Sequence, residues 1–97
     1  MITKYENNCI ICGKPVVETH HLLSGPDRKK ADQDGLVIPI CSKCHTVDTQ
    51  ALHNSYVAAA LSKICGQLAF EEQQCAKGMS IDEAREAFRK RYGESYL

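Results

Sequence analysis

The sequence predicts a small α+β domain, and three observations carry that expectation. Residues 9–53 hold all four histidines, four of the six cysteines and all three prolines. They also carry short apolar runs such as Val16-Val17 and Leu36-Val37-Ile38, the pattern of short strands and loops. Residues 55–92 instead repeat apolar side chains at helical spacing. Two Cys-x-x-Cys pairs lie 28 residues apart in the first half. At 97 residues the chain is expected to form one domain, 1–97, in which 9–53 carries the chemistry and 54–97 is helical support.

The opening residues, Met1 to Asn8, place Lys4 and Glu6 where a signal peptide needs unbroken apolar sequence, so export is not expected. No run approaches the roughly 18 apolar residues of a membrane span. A cytoplasmic chain without membrane contact follows, in which thiols stay reduced and paired cysteines hold metal more often than disulfides. Twelve basic residues balance twelve acidic ones, which excludes the uniform electrostatic coat of a histone-like DNA binder. Local clusters remain, at Arg28-Lys29-Lys30 and at Arg85, Arg89, Lys90 and Arg91, each able to face phosphate.

Cys9-Ile-Ile-Cys12 and Cys41-Ser-Lys-Cys44 each set two thiolates across a tight knuckle, the arrangement a tetrahedral structural Zn²⁺ requires. The 28 intervening residues exceed a compact zinc ribbon, but the added loop-closure cost is logarithmic, well under about 1 kcal/mol. Structural zinc supplies about 10–16 kcal/mol in small domains. It would offset the thin core of a chain with no Trp and two Phe. A thioredoxin-like redox pair would want a βαβ setting, and a disulfide framework would want export. Cys65 and Cys75 are ten residues apart on a predicted helix, about 15 Å along its axis, too far to share an ion.

Two helices are expected after residue 54. Val57, Leu61, Ile64 and Leu68 place a stripe on the first, with Asn54 as its cap and Gly78 at its close. Ser80-Ile-Asp-Glu83 is a capping box for the second, Ile81, Ala84, Phe88 and Tyr92 form its stripe, and Gly93 its stop.

The histidines need a separate account, since four thiolates already complete one site. His20-His21 lies between the knuckles, His45 directly follows Cys44, and His53 comes eight residues later. Closing the knuckles on one ion returns His45 towards His20-His21, so that two or three imidazoles can hold a second metal. Phosphodiester hydrolysis requires such an ion and a free neutral imidazole to activate water.

The order Cys9-x-x-Cys12, Glu18-x-His20-His21, Cys41-x-x-Cys44-His45 and a later His resembles the HNH endonucleases of the His-Me finger, or ββα-metal, superfamily. It is especially similar to short phage-encoded members, through His20-His21-Leu-Leu-Ser-Gly25, Arg28-Lys29 and Tyr96-Leu97, and Glu18-Thr-His20-His21 is similar to the E-x-H-H of colicin DNases. The resemblance implies a ββα-metal domain with a four-cysteine zinc site and two C-terminal helices, acting as a divalent-metal-dependent endonuclease on DNA. It implies His20 and His45 as ligands, His21 as general base, Glu18 as a carboxylate behind them, and Arg28 as a phosphate contact or partner of Glu18, beside Lys29 and Lys30. The catalytic ion would be Mg²⁺, Mn²⁺, Ni²⁺ or Zn²⁺.

Two departures stand out. The middle Asn of the family signature is replaced by the stretch Asp34 to Ile40, so something else must orient His21. The colicin pattern has its last ligand four residues after the knuckle-end His, where this chain has Thr49, leaving His53 or Asp48 as the third ligand, with His53 preferred. In an ideal strand His20 and His21 would also point to opposite faces, so sharing one phosphate requires the strand to end or bulge there. The rival readings are a non-catalytic zinc module that binds nucleic acid or protein, and a cysteine redox sensor.

Overall fold

The computed structural model describes residues 1–16, 18–47 and 51–97, with Val47 described by its backbone alone. It is a small α+β arrangement of one two-stranded sheet and three α-helices among the described residues. Strands β1 (Thr19–His21) and β2 (Val37–Pro39) run antiparallel, with His20 opposite Ile38 and His21 opposite Val37. They are joined by a 3-10 turn, Gly25–Asp27, with Pro26 in its first turn, and by helix α1 (Arg28–Gln33). A single π-type turn, Lys43–Val47, follows β2, and helices α2 (Tyr56–Ala76) and α3 (Ile81–Tyr92) complete the chain. Of the run Val16-Val17, Val16 donates its N–H to Asn7 O outside any strand; Val17 lies outside the described residues.

A two-stranded sheet is marginal by itself. Here Leu22, Leu23, Leu36 and Ile38 bury against Phe70 of α2 and Phe88 and Tyr92 of α3, with Ala31 of α1 closing the cluster. Phe88 stacks on Tyr92 at 4.7 Å between centroids and meets Phe70 edge-on at 5.4 Å. These contacts concentrate the burial of an aromatic-poor chain in one place.

Helix α3 matches its capping signals. Ser80 Oγ accepts the Glu83 N–H, Glu83 reaches back to the Ser80 N–H, and Gly93 ends the helix. Ala84, Phe88 and Tyr92 are buried as expected, but Ile81 in the first turn is exposed. Helix α2 differs more. Its cap is Ser55, whose Oγ accepts the Ala58 N–H, while Asn54 instead donates its side-chain amide to Thr46 O. Its inner face is not the predicted stripe: Val57 is 70% exposed, Leu61 54% and Leu68 51%, with Ile64 half-buried, whereas Ser62, Gly66, Gln67, Phe70 and Glu71 are buried.

The reason lies in what α2 packs against. A Cβ at Gly66 would stand 3.1 Å from Leu22 Cβ and 3.3 Å from Leu23 Cγ, so the helix approaches this closely only where glycine faces the Leu22-Leu23 segment. The polar residues on the same face are satisfied. Gln67 donates to Glu71 and Ser95 and accepts the Tyr96 N–H, and Arg85 of α3 grips Glu71 with two 3.3 Å bonds. Partners rather than side-chain hydropathy therefore choose the buried face. A second polar tie docks α3 on α1: Arg91 and Tyr92 both donate to Asp34 Oδ2, and Lys30 Nζ donates to Arg91 O. No described helix is long and apolar enough to cross a membrane.

The orientation of α2 can be checked by unfolding the zinc-loaded protein in urea. Phe70→Ala should cost about 3–5 kcal/mol, while Val57→Ala should change stability by no more than about 0.5 kcal/mol. The opposite ranking would mean that α2 buries the predicted stripe.

Candidate metal centres

The first knuckle turns at Gly13, whose φ of +78° suits a residue without a Cβ and whose N–H closes on Cys9 O at 2.8 Å. The second turns from Cys41 into the π-type segment, with the His45 N–H on Cys41 O at 2.9 Å. The sheet aligns the two, because the Ile10 N–H donates to Pro39 O and the Ile40 N–H to Glu18 O. As a result the sulfurs of Cys9, Cys12, Cys41 and Cys44 all lie within 4.8 Å of one another, and Cys12 Sγ stands 3.6 Å from Cys41 Sγ. A tetrahedral ion with Zn–S bonds of about 2.3 Å needs sulfur pairs about 3.8 Å apart, so these four cysteines can hold a metal such as zinc.

The charges are consistent with that use. Burial acts to raise the Cys9 pKa, but the N–H groups of Cys12, Cys41 and Ile11 aimed at its sulfur outweigh it and bring the thiol down to about 6. Burial, followed by hydrogen bonds with the thiols of Cys41, Cys12 and Cys9, pushes Cys44 up to about 12. Four sulfurs this close cannot all carry negative charge unless a cation stands among them. Cys65 is exposed and Cys75 half-buried on α2, neither within this group.

The histidines form a second cluster. One ring nitrogen from each of His20, His45 and His53 lies within 4.8 Å of the other two. His20 Nδ1 is 3.3 Å from His45 Nε2, and His53 Nε2 is 2.8 Å from the same atom. Tetrahedral bonds of about 2.0–2.1 Å to nitrogen put ligand atoms about 3.3–3.4 Å apart, so the first spacing fits an ion directly. The second is short enough for the two imidazoles to share one N–H. Burial first, and then the neighbouring imidazoles of His45, His53 and His21, lower the His20 pKa to about 4. His53 is lowered by burial and by His45. Both are thus held in the neutral form that can donate a lone pair. Asp48, the other ligand considered, lies outside the described residues.

Glu18 stands behind this cluster, its carboxylate 3.6 Å from His45 Nδ1. No ion pair joins it to Arg28. His21 is not among the converging imidazoles. It points across the end of β1, where its Nε2 is 3.3 Å from Asp32 Oδ1 of α1. Both histidines nevertheless line one cleft of about 260 Å³, with Arg28 on its wall, and β1 ends at His21. The strand therefore ends at the second histidine of the pair, and both rings reach one cleft. A neighbouring cleft of about 450 Å³ runs on past His21, Arg28, Lys29 and Asp32.

Lys30 is directed elsewhere, onto the C-terminal turn of α3, and Arg89 and Arg91 pair with Glu86 and Asp34. The residues that could hold metal come from separate elements: β1 and β2 are joined through α1, His45 sits in the π-type turn, and His53 precedes α2.

Two residues at the site escaped the sequence reading. Asp32 is the hydrogen-bond partner of His21 Nε2. It shares a helix face with Arg28 four residues earlier, but nothing in the order of residues links it to β1. Ser62, buried on α2, bonds His20 Nε2 at 2.9 Å; a serine in line with Gly66 and Phe70 is its only trace in the sequence.

Compared with protein-family models, curated proteins and solved structures, the chain matches none.

The thiolate centre makes a direct prediction. The parent protein should retain stoichiometric zinc through dialysis. Cys41→Ser should lose it and with it most of the helical circular dichroism, since structural zinc contributes about 10–16 kcal/mol in small domains. A Cys41→Ser protein that melts like the parent would rule this out.

Proposed function

We propose that the chain is a divalent-metal-dependent endonuclease of the HNH, ββα-metal type that hydrolyses DNA phosphodiester bonds, with a structural zinc on Cys9, Cys12, Cys41 and Cys44. One observation carries the reading: three imidazoles converge beside a cleft that also receives His21 and Arg28. A non-catalytic zinc module would need the thiolates alone, so the imidazole cluster is what favours the nuclease.

In this reading His20, His45 and His53 hold the catalytic ion. When bound, that ion supplies positive charge to the phosphoryl oxygens and the leaving oxygen. An ionised carboxylate only accepts hydrogen bonds, so His21 Nε2 carries the proton that faces Asp32, and Nδ1 is left as the basic nitrogen. Nδ1 takes a proton from water as the water oxygen bonds to phosphorus. The bond from phosphorus to the 3′ oxygen breaks, and that oxygen is protonated by solvent. Arg28 hydrogen-bonds phosphate oxygens through its planar fork, and Lys29 lies further along the adjoining cleft. Asp34, in the stretch that replaces the family's Asn, holds α3 instead.

Plasmid nicking with Mg²⁺, Mn²⁺ and Ni²⁺, read beside metal affinity, tests these roles. His21→Ala should slow cleavage by about 10²–10⁴-fold with metal affinity nearly intact. His20→Ala and His45→Ala should instead weaken metal binding, with activity partly recovered at high metal concentration. Parental cleavage by His21→Ala would end the catalytic reading.

A further inference from the structure

Ser62 touches the imidazole cluster from the middle of α2, 42 residues from His20 in sequence. Both side chains are buried, at 7% and 5% exposure. A helical serine commonly bonds back to a carbonyl of its own helix. This one instead donates to Leu22 O, at 2.9 Å, beyond the end of β1. A hydroxyl has one proton, so with that proton on Leu22 O, Ser62 Oγ can only accept from His20 Nε2. His20 Nε2 therefore carries the ring proton, and Nδ1 is the lone-pair nitrogen that faces His45 Nε2, the atom that His53 Nε2 also meets. Gly66, one turn further along α2, allows the approach that brings the hydroxyl within reach.

We infer that Ser62 is a positioning residue of the imidazole site, fixing the tautomer and rotation of His20 so that it donates through Nδ1. The inference deepens the three-imidazole reading and rests on it. Without the hydroxyl, a buried Nε2–H loses its acceptor and the ring is free to turn, which withdraws Nδ1 from the cluster.

The test uses protein carrying one equivalent of Zn²⁺, which fills the thiolates, and follows a second equivalent of Zn²⁺ by calorimetry. Ser62→Ala should bind the second ion about 10–100-fold more weakly than the parent, as loss of a partner behind a metal ligand generally does. Ser62→Thr, which keeps the hydroxyl, should recover most of that loss. Nitrogen-15 NMR of the one-zinc parent should show His20 protonated at Nε2, and Ser62→Ala should mix the tautomers. Parental affinity in Ser62→Ala would overturn the inference, and so would a Thr variant as weak as Ala, which would assign the effect to packing. Should Ser62→Ala fail to fold, a parent His20 protonated at Nδ1 would overturn it equally. A parent that takes up no second ion would overturn the three-imidazole reading itself.

Discussion

The closure of Cys9 and Cys12 onto Cys41 and Cys44 is the constraint on which the remaining geometry depends. The loop it closes contains β1, α1 and β2, so bringing its ends together sets the strand pair and the connecting helix in one step. His45 follows Cys44 without a spacer. Its carbonyl accepts the His53 N–H, while the Leu52 N–H bonds Cys44 O. The backbone that places the fourth sulfur therefore also places two of the three imidazoles. An ion among the sulfurs would stabilise both groups at once, because little chain lies between them to absorb a misalignment.

The helical half serves this arrangement from behind. Helices α2 and α3 contribute Phe70, Phe88 and Tyr92 to the core, but what distinguishes their packing is the buried or half-buried polar groups along it. Glu71 is held by Arg85 and Gln67, and Asp34 by Arg91 and Tyr92. Such pairs fix orientation more than they add stability, since desolvating a charge costs much of what its partner returns. The bonds of Gln67 and Glu71 lie on the face of α2 that also directs Ser62 to His20. These pairs also occupy cations that, on sequence alone, looked free for phosphate, leaving Arg28 and Lys29 as the basic side chains on the clefts beside His21.

At the imidazole cluster, burial and mutual repulsion act together to keep His20 and His53 neutral. His21 stands outside the cluster, its ring directed to an exposed carboxylate rather than to the other imidazoles. Adjacent residues on a strand thus acquire different surroundings: one ring turned inward among lone-pair donors, the other turned to α1 and the open cleft. The alternation of side chains along β1 produces that division, and the ending of the strand at His21 lets both meet the same space.

The local features of this chain were legible in its order of residues. The Cys-x-x-Cys spacing gathered the thiols, the Ser80 to Glu83 box started α3 and Gly93 stopped it, and the run of histidines between and beyond the knuckles foretold a second cluster. These depend on neighbours within a few residues or on one loop closure, so spacing alone encodes them. Tertiary structure decided the rest. Val57, Leu61 and Leu68 repeat at helical spacing yet face outward, because the surface of Leu22 and Leu23 admits a helix only at Gly66 and because Gln67 and Glu71 find partners there. Ser62 and Asp32 joined the site, and Lys30 and Arg91 became ties between helices, for the same reason. A polar side chain's role is set by the hydrogen-bonding group that packing brings within about 3 Å of it, and periodicity along one element carries no information about that partner.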